Sequence, residues 1–316
     1  MVVETYICNH HLIFKRNKVS ISKMKILVYT KNIKAEDADI INIFFQELTK
    51  GQVTIGLFGE LRKDLHSHGI DTIYDFTVGN YEELAYHKPD VIITLGGDGT
   101  ILGVVTLVKD LGIPIFGINL GRLGFLANIE KSKIIKAVRA IVHNHWTSEE
   151  RSLLSLESNI PIFDDTPFAL NDFTIHKRDT SSMVTIHAYI DNVYLNSYWA
   201  DGVIVATPTG STGYSMSCGG PIIFPDSGNW VITPVAPHSL NVRPVVIPNH
   251  KSITFKVEGR ADNFLCTLDS RHEIITHDHI ITLKKCNFNL TLGVLEGMEF
   301  METIREKLMW GLDRRN

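Results

Sequence analysis

The sequence predicts an α/β domain followed by a β-rich one, with a helix at the end, and three observations predict it. Strand-like and helix-like segments alternate from Met24 to about His145. The pattern then shortens to brief runs rich in Val, Ile, Thr and Phe between turn residues, and residues 299–316 return to a helical stripe. Alternation of strand and helix means a parallel sheet covered on both faces, a Rossmann-like build. Short β-branched runs between turns mean a sandwich. A chain of 316 residues suits two domains of ordinary size.

The elements follow in order. Residues 1–23 are polar and basic without periodicity and are expected to lie outside the fold, as a disordered or mis-annotated extension. Ile26–Thr30 reads as a buried strand, and Ala35–Lys50 as a helix with Ile41, Phe44, Phe45 and Leu48 on one face and Gly51 as its stop. Val53–Phe58 reads as a strand and Leu61–His68 as a short helix ended by Gly69. Val91–Leu95 is apolar without alternation, the mark of a strand covered on both faces. A helix is expected over Thr100–Leu111, a strand over Ile113–Ile118 and a helix over Ser132–His143, which closes an α/β domain at 24–147. The β-rich domain, 148–298, is expected to hold strands at Phe168–Ile175, Val184–Ile190, Gly202–Ala206, Val231–Val235, Val242–Ile247, Ile253–Val257, Phe264–Leu268, Ile280–Leu283 and Phe288–Leu292. Phe300, Ile304 and Leu308 share a stripe on the final helix, 299–316, which is expected to return and pack on the first domain.

Composition excludes several classes. Lys and Arg total 31 against 35 Asp and Glu, a net charge of −4, so no general attraction to nucleic acid or an anionic membrane is expected. Setting aside residues 1–23 removes Lys15, Arg16, Lys18 and Lys23 against only Glu4, leaving the remainder more acidic still. Cys8, Cys218, Cys266 and Cys286 form no C-x-x-C pair and read as reduced thiols. No stretch approaches the roughly 18 consecutive apolar residues of a membrane span. The basic residues near the N-terminus follow its short apolar patch, the reverse of a signal peptide. The expectation is a cytoplasmic protein without membrane or nucleic-acid partners.

Two segments carry the chemistry. The first, Gly96-Gly97-Asp98-Gly99, sits where the central strand ends and a helix begins, the place where open parallel sheets bind ligands and helix amides favour phosphate. Asp98 separates the possible uses of that turn. A carboxylate there repels a phosphate resting on the turn, whereas a group that orients or deprotonates a hydroxyl, or holds a metal near phosphates, needs one. A helix-capping Asp is the plainer alternative. A Walker A loop is excluded because the chain has no Gly-Lys pair. With Gly103 the spacing G-x-G-x-x-x-G could pass for a dinucleotide fingerprint, but the acidic residue expected about 20 positions on is missing, since Asn119 follows Ile118.

The second segment runs from Asp201 through Pro221, with Gly202, Gly210, Gly213, Gly219 and Gly220 among a cluster of hydroxyl residues. Hydroxyls and bare amides at a sharp turn suit phosphate and ribose oxygens. Gly210-Ser211-Thr212-Gly213 misses the G-x-S-x-G nucleophile elbow by one position. His277-Asp278-His279 has no third ligand and reads as a solvated turn.

Together these segments resemble the NAD kinase (ATP-NAD kinase) family, whose pattern is a GGDG turn, an Asn-Glu dipeptide and a DG…TPTGSTAY…GGP segment. Here they stand as Gly96–Gly99, Asn171-Asp172, and Asp201 through Pro221; Asn119–Leu126 and Pro237–Leu240 with Arg243-Pro244 resemble further family stretches. The resemblance covers the chain from about Met24 and implies transfer of the γ-phosphoryl of ATP to the 2′-hydroxyl of the adenosine ribose of NAD, giving NADP. It implies that Asp98 accepts the proton, with Gly99 beside it, and that a divalent metal, Mg²⁺, serves on the ATP phosphates. For the dinucleotide it implies Asn171, Asp172, Asp201 and the run Thr212, Gly213, Tyr214, Ser215, Met216 and Ser217, with Tyr214 stacking on a base. Phe125, Ala236 and Arg271 carry over by position, and a homo-oligomer, dimer or tetramer, is implied. Asp172 stands where the family usually has Glu, and Gly213 where many members have Ala. Lipid and sugar kinases share a similar GGDG turn, and a dehydrogenase or NAD sensor is the further alternative.

Overall fold

The computed structural model describes residues 23–59, 61–178 and 183–311; the expectation for residues 1–23 falls, apart from Lys23, outside them. The first half holds β1 (Lys25–Tyr29), α1 (Ala38–Lys50), β2 (Thr54–Phe58), α2 (Leu61–Ser67), β3 (Phe76–Val78), α3 (Tyr81–His87), β4 (Val91–Leu95), α4 (Asp98–Val108), β5 (Ile115–Asn119), β6 (Ile129–Glu130) and α5 (Ile134–Val142). Its strands pair in parallel in the order β5-β4-β1-β2-β3. Every residue of β4 and β5 is buried, as their uninterrupted apolar runs require. The expected face of α1 is buried at Ile41, Phe44, Phe45 and Leu48. The helix ends at Lys50 with Gly51 as its C-cap, as expected; Gly51 itself stays right-handed at φ −70° and Gln52 takes φ 53°. Gly51 serves close packing, since a Cβ there would lie 3.0 Å from Val142 of α5.

The second half holds β7 (Trp146–Ser158), β8 (Phe168–Ala169), β9 (Asp172–Lys177), β10 (Val184–Ile190), β11 (Val193–Ala200), β12 (Gly202–Ala206), α6 (Tyr214–Ser217), β13 (Asn229–Val235), β14 (Val245–Pro248), β15 (Ile253–Glu258), β16 (Phe264–Leu268), β17 (Arg271–Ile275), β18 (Ile280–Leu295) and α7 (Phe300–Leu308). One face of the sandwich is the six-stranded sheet β14-β13-β12-β9-β16-β17. The other is built from β11, β10, β15, β18 and β7, and it is continuous with the parallel sheet of the first half. The sandwich core is filled by Trp230, Tyr198 and the stacked pair Phe173 and Phe255, whose ring centroids are 5.7 Å apart.

β18 makes that continuity. Its start pairs with β15, its length runs antiparallel to β7, and at Leu292 it meets Ile115 of β5 in parallel. The sequence suggests two strands here because the register shifts between Lys285 and Asn289, and a bulge breaks the alternation on which strand reading relies. β3, β6, β7, β11 and β17 go unforeseen, and the single strand expected at Phe168–Ile175 is two, β8 paired with β7 and β9 in the six-stranded sheet. β7 carries Glu149-Glu150-Arg151 in mid-strand, a composition that reads as loop. α7 reaches both halves: Lys307 Nζ donates to the Leu123 carbonyl, and the Phe300 ring meets Phe224 edge-on at 5.4 Å. Among the described residues no helix is long and apolar enough to cross a membrane.

Where β18 joins β5, the Phe116 ring lies against Gly293, and a Cβ at 293 would fall 2.2 Å from it. Phe116 is fully buried and packs edge-on against Trp146 at 5.2 Å, so it has little room to move. Gly293→Ala is expected to destabilise the protein by about 1–3 kcal/mol, seen as a lower urea midpoint with an unchanged slope.

Candidate active site

β4 delivers the first glycine turn at its carboxyl end. Gly96 takes φ +147°, and a Cβ there would strike the Thr100 hydroxyl at 2.3 Å, so both conformation and space call for glycine. Gly97 precedes α4 in an extended conformation, and Asp98 is the first residue of the helix. The Asp98 side chain leaves its own helix and accepts three backbone N–H bonds from a distant loop: Phe125 to Oδ2 at 2.9 Å, and Leu126 and Ala127 to Oδ1 at 3.1 and 2.8 Å. Helix capping is therefore not its job. Gly124 makes the approach possible, because a Cβ there would lie 1.8 Å from Oδ1. An ionised carboxylate has about four lone-pair positions; Oδ1 uses two and Oδ2 one, which leaves Oδ2 a position for a further donor.

Beside this turn, at the carboxyl ends of β1, β4 and β5, lies a cavity of about 240 Å³. Its lining includes Gly96 and Gly97, the buried Asn119, the cations Lys34 and Arg122 and the carboxylates Glu36 and Asp37, with Lys34 Nζ 3.6 Å from Glu36 Oε1. Asn119 Oδ1 accepts from the Gly121 amide at 2.7 Å and so shapes the bend that carries Arg122. The N-terminus of α4 and Arg122 favour an anion of phosphate type, while Lys34 is paired with Glu36. Lys34 and Arg122 go unforeseen in the sequence reading. The available signal is their position, each just beyond the carboxyl end of a parallel strand.

The second segment forms around β9 and β12, which pair antiparallel with Asp172 opposite Ala206 and Gly202 opposite His176. Asp269, a residue the sequence did not single out, accepts the amides of Leu170, Asn171 and Asp172 at 3.1, 2.7 and 3.3 Å and so holds the Asn171-Asp172 dipeptide. Asp172 is buried, and its carboxyl is pushed up to about 7, first by burial and then by the negative charge of Asp269. Asn171 Oδ1 is buried without a hydrogen-bond partner, the kind of group that an incoming donor satisfies. Gly210 stands so close to this dipeptide that a Cβ would lie 2.0 Å from the Asn171 carbonyl oxygen. Gly213 is next to the Asp172 carboxyl, with its Cβ position 4.0 Å from Oδ2.

Most of the hydroxyls of this segment face its own backbone. Thr207 donates to the Leu170 carbonyl, Ser211 to the Pro208 carbonyl and Thr212 to the Thr209 carbonyl, while Ser215 pairs with Thr233 at 2.8 Å. What the segment presents outward is Tyr214, 41% exposed, whose ring stacks 5.5 Å from His176. Burial holds the His176 imidazole below its ordinary value, against the opposing pull of Asp201. Met216 is half-buried and Ser217 exposed. Asp201 is bonded to Lys177 at 2.6 Å, and Ala236 is exposed with φ +45°.

The two segments meet through packing. Leu170, next to Asn171, is buried in one cluster with Ile101 of α4 and with Leu126 and Ala127 of the loop that Asp98 grips. Gly99 is exposed at the start of α4. Phe125 adds a ring beneath the Lys307 ammonium, 5.1 Å from its centroid. Arg271 stands apart: its guanidinium donates to the Thr166 and Phe168 carbonyls and lines a separate cavity with Tyr29 and Lys109. His279 is buried and accepts from the Thr276 amide at 3.0 Å, so the His277–His279 turn is only partly solvated.

A glycine turn at the end of a parallel strand, a fixed carboxylate beside it and a glycine-rich β-domain packed against both fit a phosphotransferase with an alcohol acceptor. Residues 12–146 match the ATP-NAD kinase N-terminal domain and residues 170–292 the ATP-NAD kinase C-terminal domain. The chain is 42% identical over 301 residues to an NAD kinase of Flavobacterium psychrophilum, covering 93% of this chain and 100% of that one. It is 48% identical over 229 residues to an NAD kinase of Cytophaga hutchinsonii, covering 72% and 78%. The fold is similar to that of yeast NADH kinase complexed with NADH, with a TM-score of 0.83 at 22% identity over 94% of this chain and 90% of that one. It is also similar to that of an NAD kinase from Archaeoglobus fulgidus in complex with ATP, with a TM-score of 0.67 at 24% identity over 90% and 98%. The chain belongs to the NAD kinase family, and its reaction is phosphorylation of NAD to NADP.

Two expectations follow from the geometry. Gly124→Ala displaces the Asp98 carboxylate, and since misplacement by about 1 Å costs on the order of 10²-fold, kcat per folded enzyme should fall by about that factor in a steady-state assay. Because Asp172 is raised from 3.8 to about 7, the folded protein holds a proton there that the unfolded chain has lost, so its stability falls as pH rises between those values. Urea unfolding of the native protein and Asp172→Asn at pH 5 and pH 8 should show the native protein losing stability relative to the variant on going to the higher pH.

Proposed function

We propose that Asp98 accepts the proton of the 2′-hydroxyl on the adenosine ribose of NAD while the γ-phosphoryl of ATP is transferred to that oxygen. The observation that carries this reading is the Asp98 carboxylate, fixed by three amides with one position left on Oδ2 beside the phosphate-type cavity. In the transfer the ribose oxygen forms a bond to the γ-phosphorus, the bond to the β-phosphate oxygen breaks to release ADP, and the proton passes to Asp98. A ribose hydroxyl is a poor nucleophile, and the phosphates need their charge met before attack, so positioning and electrostatics supply most of the rate. Arg122 and the first-turn amides of α4 supply part of that charge.

The adenosine end of NAD is assigned to the surface formed by Asn171, Asp172, Gly213 and Tyr214. Asn171 Oδ1 accepts from a donor on the base or ribose, and the Tyr214 ring, already stacked on His176, offers a face for the base. Thr212, Ser215, Met216 and Ser217 support this surface, and Asp201 borders it through Tyr214. Among the described residues no group of three or more His, Cys, Asp or Glu side chains is placed to hold a metal ion. The divalent cation is therefore taken as part of the nucleotide substrate, MgATP, where it neutralises phosphate charge, and no step is assigned to it.

The same reading places the enzyme in the cytoplasm, for which the free thiols of Cys218, Cys266 and Cys286 are suited. It also makes it a homo-oligomer. The edge strand β11 exposes Val193, Tyr194 and Trp199, an apolar surface that a second copy would cover.

Incubation with ATP, Mg²⁺ and NAD should yield NADP. Asp98→Asn should lower kcat by about 10²- to 10⁴-fold, the span of a lost general base, with NAD affinity by calorimetry retained. Normal turnover by that variant would remove Asp98 from the role.

A further inference from the structure

The loop that fixes Asp98 is itself held from outside. Leu123–Ala127 is a closed turn, with the Gly124 amide donating to the Ala127 carbonyl at 3.1 Å. Asp98 takes the amides on one side of it. From the other side Lys307, in the last turn of α7, donates to the Leu123 carbonyl and lies over the Phe125 ring at 5.1 Å. One lysine thus holds both the carbonyl preceding Gly124 and the side chain of the residue whose amide donates to Asp98 Oδ2.

The other end of α7 is anchored on the second glycine segment. Phe300 meets Phe224 at 5.4 Å and 71°, and Phe224 follows the Gly219-Gly220-Pro221 turn. Between these ends Thr303 and Ile304 are buried. α7 therefore spans from the turn after the NAD-side segment to the loop that grips Asp98. The hydrophobic stripe fixes where the helix lies, and Lys307 contributes a directed bond that a stripe alone does not give.

We propose that Lys307 is a positioning residue for the phosphoryl transfer: it holds the 123–127 loop in the geometry in which its amides fix the Asp98 carboxylate. The proposal rests on the assignment of Asp98 as proton acceptor. Lys307 does not line the phosphate-type cavity, whose lining includes Gly121 and Arg122 but no residue of 123–127. Its loss should slow the chemical step and leave ATP binding alone.

The test compares Lys307→Met, Lys307→Gln and Lys307→Arg in the full-length enzyme. Hydrogen exchange of the Phe125, Leu126 and Ala127 amides should quicken in Lys307→Met. Its kcat should fall about tenfold or more, as misplaced catalytic groups do, with KM for ATP and for NAD within about twofold of the native values. Lys307→Arg, which keeps a cation able to donate to the carbonyl and lie on the ring, should recover most of kcat, and Lys307→Gln should fall between. Unchanged exchange at 125–127, unchanged kcat, or a raised KM for ATP at constant kcat would each overturn the proposal. A loss of melting temperature with native kcat per folded enzyme would also overturn it, by making the role structural only. Asp98→Asn separates the two layers: an active Asp98→Asn enzyme sinks the assignment of Asp98 and this proposal with it, whereas an inactive one beside a fully active Lys307→Met overturns the positioning role alone.

Discussion

A carboxylate at the first position of a helix ordinarily turns back to its own free amides. Asp98 instead takes three amides from a loop 27 to 29 residues further along the chain, and much of the site depends on that choice. It ties α4 to the segment after β5 and demands glycine at 124. It also converts a flexible acid into one with a fixed direction and a remaining acceptor position. Hydrogen bonds to a charged group contribute about 1.5–3 kcal/mol each, so three of them hold the side chain firmly against the pull of solvent. A group that must meet a hydroxyl within a hydrogen-bond length gains more from such rigidity than from raw basicity.

An acidic protein that handles two polyanions solves the problem locally. Arg122 stands just beyond the carboxyl end of β5, beside the N-terminus of α4, while Lys34 is balanced by Glu36. On the other side of the site, charge is suppressed: Asp172 is buried beside Asp269, and its carboxyl is pushed up to about 7. A half-neutralised acid tolerates an anionic ligand that a fully charged one would repel. The hydroxyls that make the second glycine segment conspicuous are largely spent on its own turns. They shape the loop around the Asn171-Asp172 dipeptide and leave Tyr214 exposed.

Strand and helix alternation, the buried β4 and the face of α1 were legible in the sequence because each is a local pattern set by burial period. The candidate site was legible where special residues cluster: Gly96–Gly99, Asn171-Asp172 and Gly210–Gly213 all meet close contacts or buried polar groups in the structure. β7 is not legible because its charged first half hides a strand whose second half is buried on both faces, Leu154 and Leu156 in the sandwich core and Leu153 in the cluster with α4. β18 was read as two strands because of its bulge. Asp269, His176 and Lys307 are not legible in the sequence, since each contacts a segment distant from it along the chain.

The sequence by itself determined the class of fold, the two glycine-rich turns and the family, because conformation at glycine and periodicity of burial are properties of neighbouring residues. Only the tertiary structure decided which atoms those turns would meet. That Asp98 faces Phe125–Ala127 and not its own helix, that β18 sews the sandwich to the parallel sheet, and that α7 closes over Leu123 and Phe224 are consequences of long-range packing. Hydrogen bonds are short and directional, so their partners are fixed only once the chain has brought remote segments within about 3 Å of one another.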